Sequence, residues 1–211
     1  ADTVAACFAS GSGAVVALVD TGVTPVDDLA GRLVTGLENP SDTNGPPVDC
    51  INFSSDGTCN DGFGHGTFMA GLIAGTGADS SGRFAGVAPG ARLINLKVAR
   101  ADGSTDLVRV LAAMDWAVSF RQQYGISVLN MSVGVPVTTS PSRNILDVAA
   151  EKAWQAGIAV VAAAGNAGPG GGTVTSPGDD PLVITAGAAD DQGATSPAQD
   201  PIASFSSRGP T

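Results

Sequence analysis

The chain has one histidine, His65. It stands in Gly64-His65-Gly66-Thr67, flanked by glycines and directly before an apolar stretch. Asp20 closes the apolar run Ala14-Val15-Val16-Ala17-Leu18-Val19 and is followed by Thr21-Gly22. An Asp and a His brought to one rim would make two thirds of a nucleophilic triad. A buried carboxylate would hold the imidazole in one tautomer and stabilise the imidazolium formed in the reaction. Alone, each residue has a bland reading. A lone His is most often a surface or satisfied core residue, and an Asp after a strand is often a turn cap.

Which elements could bring them together? The run ending at Asp20 is continuous and rich in β-branched residues, the pattern of a strand buried on both faces. Similar runs recur at Arg92–Val98, Ile126–Met131, Ile158–Ala164 and Leu182–Ala186. Between them, Leu107, Val110, Leu111, Met114 and Val118 share one face of a helix, with Ser104 and Thr105 as candidate caps. Ile145, Val148, Ala149 and Trp154 mark a second helix, and Thr67–Ala74 a third. This alternation predicts an α/β fold with a mostly parallel sheet and right-handed crossovers. Function in such sheets gathers at the carboxyl ends of the strands. Those ends carry Asp20, the segment Ser132-Val133-Gly134, and Ala163-Ala164-Gly165-Asn166.

Composition narrows the class. The chain has 211 residues, 43% apolar and 14% charged, with no repeat or linker, and reads as a single domain over residues 1–211 with a sizeable core. Twenty acidic residues against ten basic ones give a net charge of −10. That balance excludes nucleic acid as a partner and disfavours an anionic membrane surface. The longest apolar run, Ile158–Ala164, has seven residues, whereas a membrane helix needs about 20. Cys50 and Cys59 flank a polar loop, and a disulfide there would restrain a long surface insertion, as suits a secreted, extracellular protein. The alternative is three unrelated thiols. With that bridge, Cys7 is odd, either free or paired outside these residues.

Taken together, and in order, Ala17–Gly22, Gly64–Thr67, Leu129–Gly134 and Ala162–Asn166 closely resemble the subtilisin-like serine proteases. Gly86-Val87-Ala88-Pro89 and Phe205-Ser206-Ser207-Arg208-Gly209-Pro210 extend the resemblance from about Gly13 to Thr211. It implies a three-layer fold around a mostly parallel central sheet, and a serine endopeptidase acting on polypeptide substrate. Asp20 would be the triad acid, His65 the general base, and Asn166 a donor to the oxyanion. Ser132, Val133 and Gly134 would line one wall of the substrate cleft. Ala163, Ala164 and Gly165 would form the opposite wall, with Gly103 and Ser104 along the upstream residues of the substrate. The chemistry implied needs no cofactor. A structural calcium would take Asp28, with loop carbonyls from Gly75–Gly82.

Some positions depart from the family pattern. Phe68-Met69 follows Gly66-Thr67 where the family usually has His-Val. An insertion lies around Asn39–Cys59. Thr175 stands where the family commonly has Gly, which would shorten the specificity pocket and favour small or medium apolar side chains. The family's nucleophile sits in Gly-Thr-Ser at the start of a long helix, and that tripeptide is absent from these residues. Thr195-Ser196-Pro197-Ala198 is the nearest imitation, but it lacks the Gly and lies in a polar turn. The expectation is therefore a subtilisin-like domain lacking its C-terminal portion, inactive alone, with the missing segment supplied covalently or as a separate chain. The alternative is a non-catalytic relative binding peptides or partners through the same cleft. Nucleotide binding by Gly165–Gly172 is disfavoured, because no Lys-Ser/Thr follows the glycines.

Overall fold

Strand β1, Val15–Asp20, is buried at all six positions. A strand with no exposed face needs cover on both sides, and its unbroken apolar sequence supplies the surface for it. The computed structural model describes residues 10–42, 44–193, 198 and 200–211. Cys7 and the Thr195–Pro197 part of the imitation motif lie outside the described residues. Within the described residues the chain forms two compact units, one up to Asn130 and one from Met131.

In the first unit the strand order is β2 (Ile51–Asn52), β3 (Arg92–Lys97), β1 and β4 (Ile126–Met131). β1 and β3 run parallel with Asp20 opposite Lys97, and β2 is parallel to β3. Helix α1, His65–Ala74, covers one face. Its Ala70 and Ala74 join Val16, Leu18 and Leu93 in a core cluster with Val23 and Leu29. Two alanines facing the sheet let the helix backbone approach closely, as tight interior packing requires. Helix α2, Leu107–Ser119, buries Val110, Ala113, Met114, Trp116 and Ala117, and the short α3, Arg121–Tyr124, leads into β4.

Two helix starts differ from the sequence expectation, each for a hydrogen-bonding reason. α2 is capped by Asp106, whose side chain accepts from Arg109 N at 3.1 Å. The hydroxyls of Ser104 and Thr105 are spent elsewhere, on Asp102 Oδ1 and the Val98 carbonyl. α1 begins at His65 rather than Thr67, because side-chain oxygens of Thr21 and Asp61 accept from Gly66 N and Thr67 N. With those first amide groups satisfied, the helix extends two residues further back.

In the second unit, β5 (Ala159–Ala163) pairs in parallel with β6 (Ile184–Ala186). β6 is shorter than the apolar run suggested, since Leu182 N is drawn into a turn by Asp180 Oδ1 at 2.7 Å. Helix α4, Ile145–Gln155, is capped by Asn144. Its buried face is not Ile145, Val148, Ala149 and Trp154, as the large residues implied. Leu146, Asp147, Ala150 and Ala153 are buried, and Ile145 is 57% exposed. Small residues let α4 lie close to β5, and the bulkier side chains stay outside.

Candidate active site

Asp20 is the last residue of β1 and is only 2% exposed. His65 is the first residue of α1. His65 Nδ1 and Asp20 Oδ1 lie 2.7 Å apart. A carboxylate can only accept, so the proton of this bond sits on Nδ1, and in the neutral ring Nε2 then keeps the free lone pair. The same Oδ1 also accepts from Thr21 N at 2.7 Å.

Of the glycines around His65, Gly66 is required by space and Gly64 by backbone conformation. A Cβ on Gly66 would stand 2.2 Å from the Gly22 carbonyl oxygen and 3.1 Å from Asp20 Oδ1. Only a residue without a side chain lets the helix start this close to the strand end. Gly64, which precedes the base, has a φ of +100°, a conformation strained for other residues.

Asp61 was not singled out by sequence reasoning, yet it ties this region together. Its Oδ1 accepts from Thr21 Oγ1 at 2.8 Å, Phe63 N at 3.1 Å and Gly64 N at 2.7 Å. Its Oδ2 accepts from Thr67 N at 2.8 Å. Burial alone would raise the Asp61 carboxyl. The backbone donors of Thr67 and Gly64, helped by the Thr21 and Thr67 side chains, outweigh burial and hold it below the ordinary aspartate value. An acidic residue shortly before an apolar helix was the available sequence signal, since such residues cap helix starts.

The insertion is fastened beside this site. Cys50 and Cys59 form a disulfide. The Cys59 carbonyl accepts from Val23 N at 3.3 Å and Asn95 Nδ2 at 3.2 Å. Lys97, fully buried, donates to the Asn60 carbonyl at 2.6 Å and pairs with Asp56 at 3.3 Å. The residues just before Asp61 are thus held from three directions.

Gly103 and Ser104 sit in a tight turn, with Ser104 bonding Asp102 through both its amide and its hydroxyl. The Phe63 ring lies against Gly103, where a Cβ would come within 2.9 Å of it. Asp28 Oδ1 accepts from Asp79 N at 2.8 Å, so the Gly75–Gly82 loop does fold against Asp28. Among the described residues no three or more His, Cys, Asp or Glu side chains gather as a metal cluster.

The second unit holds the remaining expected residues. Asn166 follows β5 and is exposed, one residue after Gly165, whose φ is +105°. Thr175 N donates to the Ala164 carbonyl at 2.9 Å, and Val135 pairs with Ser176. Thr175 therefore lies between the two expected cleft walls. A Cβ on Gly134 would meet Thr175 Oγ1 at 2.5 Å, and one on Gly165 would meet Thr175 Cγ2 at 3.0 Å. Ser132 and Val133 are half-buried beside Gly134, as are Ala163 and Gly165, whereas Ala164 is buried.

Known proteins resemble this chain in sequence and fold. The profile of the subtilase family, Peptidase_S8, matches residues 11–211. The serine protease AprX of Bacillus subtilis (strain 168) is 40% identical over 207 residues, covering 96% of this chain and 44% of that protein. Subtilisin DY of Bacillus licheniformis is 34% identical over 193 residues, covering 90% and 61%. Of solved structures, the S41 psychrophilic protease superposes with a TM-score of 0.74 at 30% identity, covering 95% of this chain and 60% of its own. Sphericase gives a TM-score of 0.72 at 30% identity, covering 93% and 59%. The chain spans about half the length of the curated relatives it matches. With a family profile over nearly the whole chain and the same mostly parallel α/β architecture, this chain belongs to the subtilase family.

Proposed function

We propose that this chain is the Asp–His–oxyanion portion of a serine endopeptidase. The observation that carries the reading is the 2.7 Å contact between His65 Nδ1 and a buried Asp20. Asp20 fixes the tautomer and offsets the charge of the imidazolium. His65 Nε2 takes the proton of a serine hydroxyl as its oxygen attacks the peptide carbonyl, then delivers that proton to the leaving amine. Asn166 donates its side-chain N–H to the oxyanion, an interaction worth about 10²–10³ in rate. The nucleophile belongs to a segment outside these residues, joined covalently or bound as a partner.

Gly103-Ser104 in the first unit, and the walls Ser132-Val133-Gly134 and Ala163-Ala164-Gly165 in the second, are each proposed to contact polypeptide substrate. The approach of Thr175 to both Gly134 and Gly165 supports a short pocket for small or medium apolar side chains. A relative 35% identical over 156 residues is named the minor extracellular protease Epr of Bacillus subtilis (strain 168). Together with the disulfide it supports secretion, and no helix among the described residues is long and apolar enough to cross a membrane. The proposal extends to a structural calcium at Asp28. What supports it is the folding of the Gly75–Gly82 loop against the Asp28 carboxylate, which accepts from Asp79 N, and no chemical step runs through it.

The test is labelling. The 211-residue chain, alone and complemented with the remaining segment of the protease, is incubated with a serine-directed phosphonate and a peptide substrate. The chain alone is expected to show neither labelling nor hydrolysis, and the complemented protein both. Stoichiometric labelling of a serine within these residues would overturn the assignment. A complemented protein that binds peptide but never labels would favour the non-catalytic reading.

A further inference from the structure

Two of the four donors that Asp61 accepts from are immediate neighbours of the two proposed catalytic residues. Thr21 follows Asp20, and Gly64 precedes His65. The Thr21 hydroxyl donates to Asp61 Oδ1 and accepts from Gly66 N, both at 2.8 Å. One carboxylate and one hydroxyl thus link the strand end to the helix start beside the Asp20–His65 bond. Thr24 adds a return link, with its hydroxyl accepting from Asp61 N at 3.1 Å and its amide donating to Thr67 Oγ1 at 3.0 Å. The carboxylate has its own support, through Lys97 on Asn60 and the bridge at Cys59.

We propose that Asp61 is a positioning residue for His65, acting through Thr21 and the first turn of α1 to hold the imidazole on Asp20 in a single tautomer. This rests on the catalytic reading of Asp20 and His65. Asp61 does not touch the imidazole, and its effect passes through backbone and hydroxyl groups. The chemistry of the site asks for a carboxylate. Three donors converge on Oδ1 and a fourth meets Oδ2. An asparagine would turn its NH₂ either toward the Thr67 amide, donor against donor, or toward the three donors that converge on Oδ1. A glutamate adds a methylene and cannot keep both oxygens in place.

The single histidine makes the test direct. In ¹⁵N-labelled 211-residue chain, the Nδ1 proton held by Asp20 should give a low-field proton resonance, and the ring nitrogens should report one tautomer. Thr21→Val keeps the volume and removes no charge, yet cuts the relay. Asp61→Asn removes the carboxylate. Both are expected to lose the low-field resonance and the single-tautomer signature while keeping dispersed backbone amide signals. Asp61→Glu should not restore them. Folded variants with unchanged imidazole signals would overturn the positioning role, even with a lowered Tm. If Asp61→Asn does not fold, Thr21→Val decides alone, and an unchanged or unfolded Thr21→Val counts against the relay. A wild-type chain without the low-field resonance would instead sink the Asp20–His65 pair itself.

Discussion

Asp61 and Asp147 are both drawn out of water, and their carboxyl groups are pushed in opposite directions. Asp61, in the first unit, meets backbone donors on each oxygen and is held below the ordinary aspartate value. Asp147, in the second unit, is fully buried on α4. It accepts one bond from the Ser176 hydroxyl, and its Oδ2 has no protein partner. Burial is the main cause that pushes it up to about 6, against the Ser176 hydrogen bond, and the charges of Asp179, Asp180 and Glu151 push it further. Burial alone therefore does not set the state of a carboxylate; the number of donors supplied against it decides the direction. The first unit spends backbone N–H groups on a permanent charge that organises a helix start. The second buries a carboxyl able to change its charge near neutral pH.

The sharpest way to break the first region is at the pair it organises. In protease carrying its remaining segment, Asp20→Asn should lower kcat/KM on the order of 10⁴, because an amide lets the imidazole take the wrong tautomer. KM for a peptide should move far less. An activity loss below tenfold would mean that His65 needs no partner.

Next in size is Gly66→Ala. Its methyl group would collide with the Gly22 carbonyl, a backbone atom that cannot rotate away. The expected cost is about 3 kcal/mol, at the upper end for overpacked sites, read from the urea midpoint. Gly71→Ala is the control, since a Cβ there meets nothing within 4 Å. It should be neutral or slightly stabilising. Smaller again is Cys59→Ser. The bridge closes a loop with a sequence separation of 9, so its loss should cost about 2.5 kcal/mol by loop-closure entropy. Reductant should shift the wild-type urea midpoint by a similar amount and leave the variant unmoved.

These regions were not equally legible in the sequence. Asp20 and His65 could be read because strand and glycine patterns placed them at element ends, where a parallel sheet concentrates chemistry. Asp61 is one of twenty acids, and its role depends on Thr21, a donor forty positions away. No local pattern reports such a bond. Asp147 was hidden for a different reason. Ile145 and Trp154 dominate the apolar pattern of α4, but close approach to β5 selects the small residues, and the aspartate rides in with Leu146, Ala150 and Ala153. The cap of α2 turned on competition, since the hydroxyls of Ser104 and Thr105 had nearer acceptors.

The gentlest probe sharpens the comparison through pH. Asp147 has a folded value of about 6 against an ordinary value of 3.8. Between those values the folded chain binds more protons than the unfolded chain, so this group's contribution to stability falls as pH rises from about 4 to 6 and stays lost above. Asp61 works the other way. Its value is lowered on folding, so its contribution is present above 3.8 and is lost as pH falls through its folded value. Asp147→Asn keeps an oxygen to accept from Ser176 but removes the charge. It should raise Tm modestly at pH 8, have little effect at pH 4, and flatten the slope between them. The check is a set of thermal melts from pH 4 to 8 for both proteins, with Asp61→Asn measured alongside. That variant should leave the slope between pH 4 and 6 intact, because its own titration lies lower. If Asp147→Asn destabilises equally at every pH, then Asp147 is an ordinary buried hydrogen-bond acceptor and its charge carries no penalty.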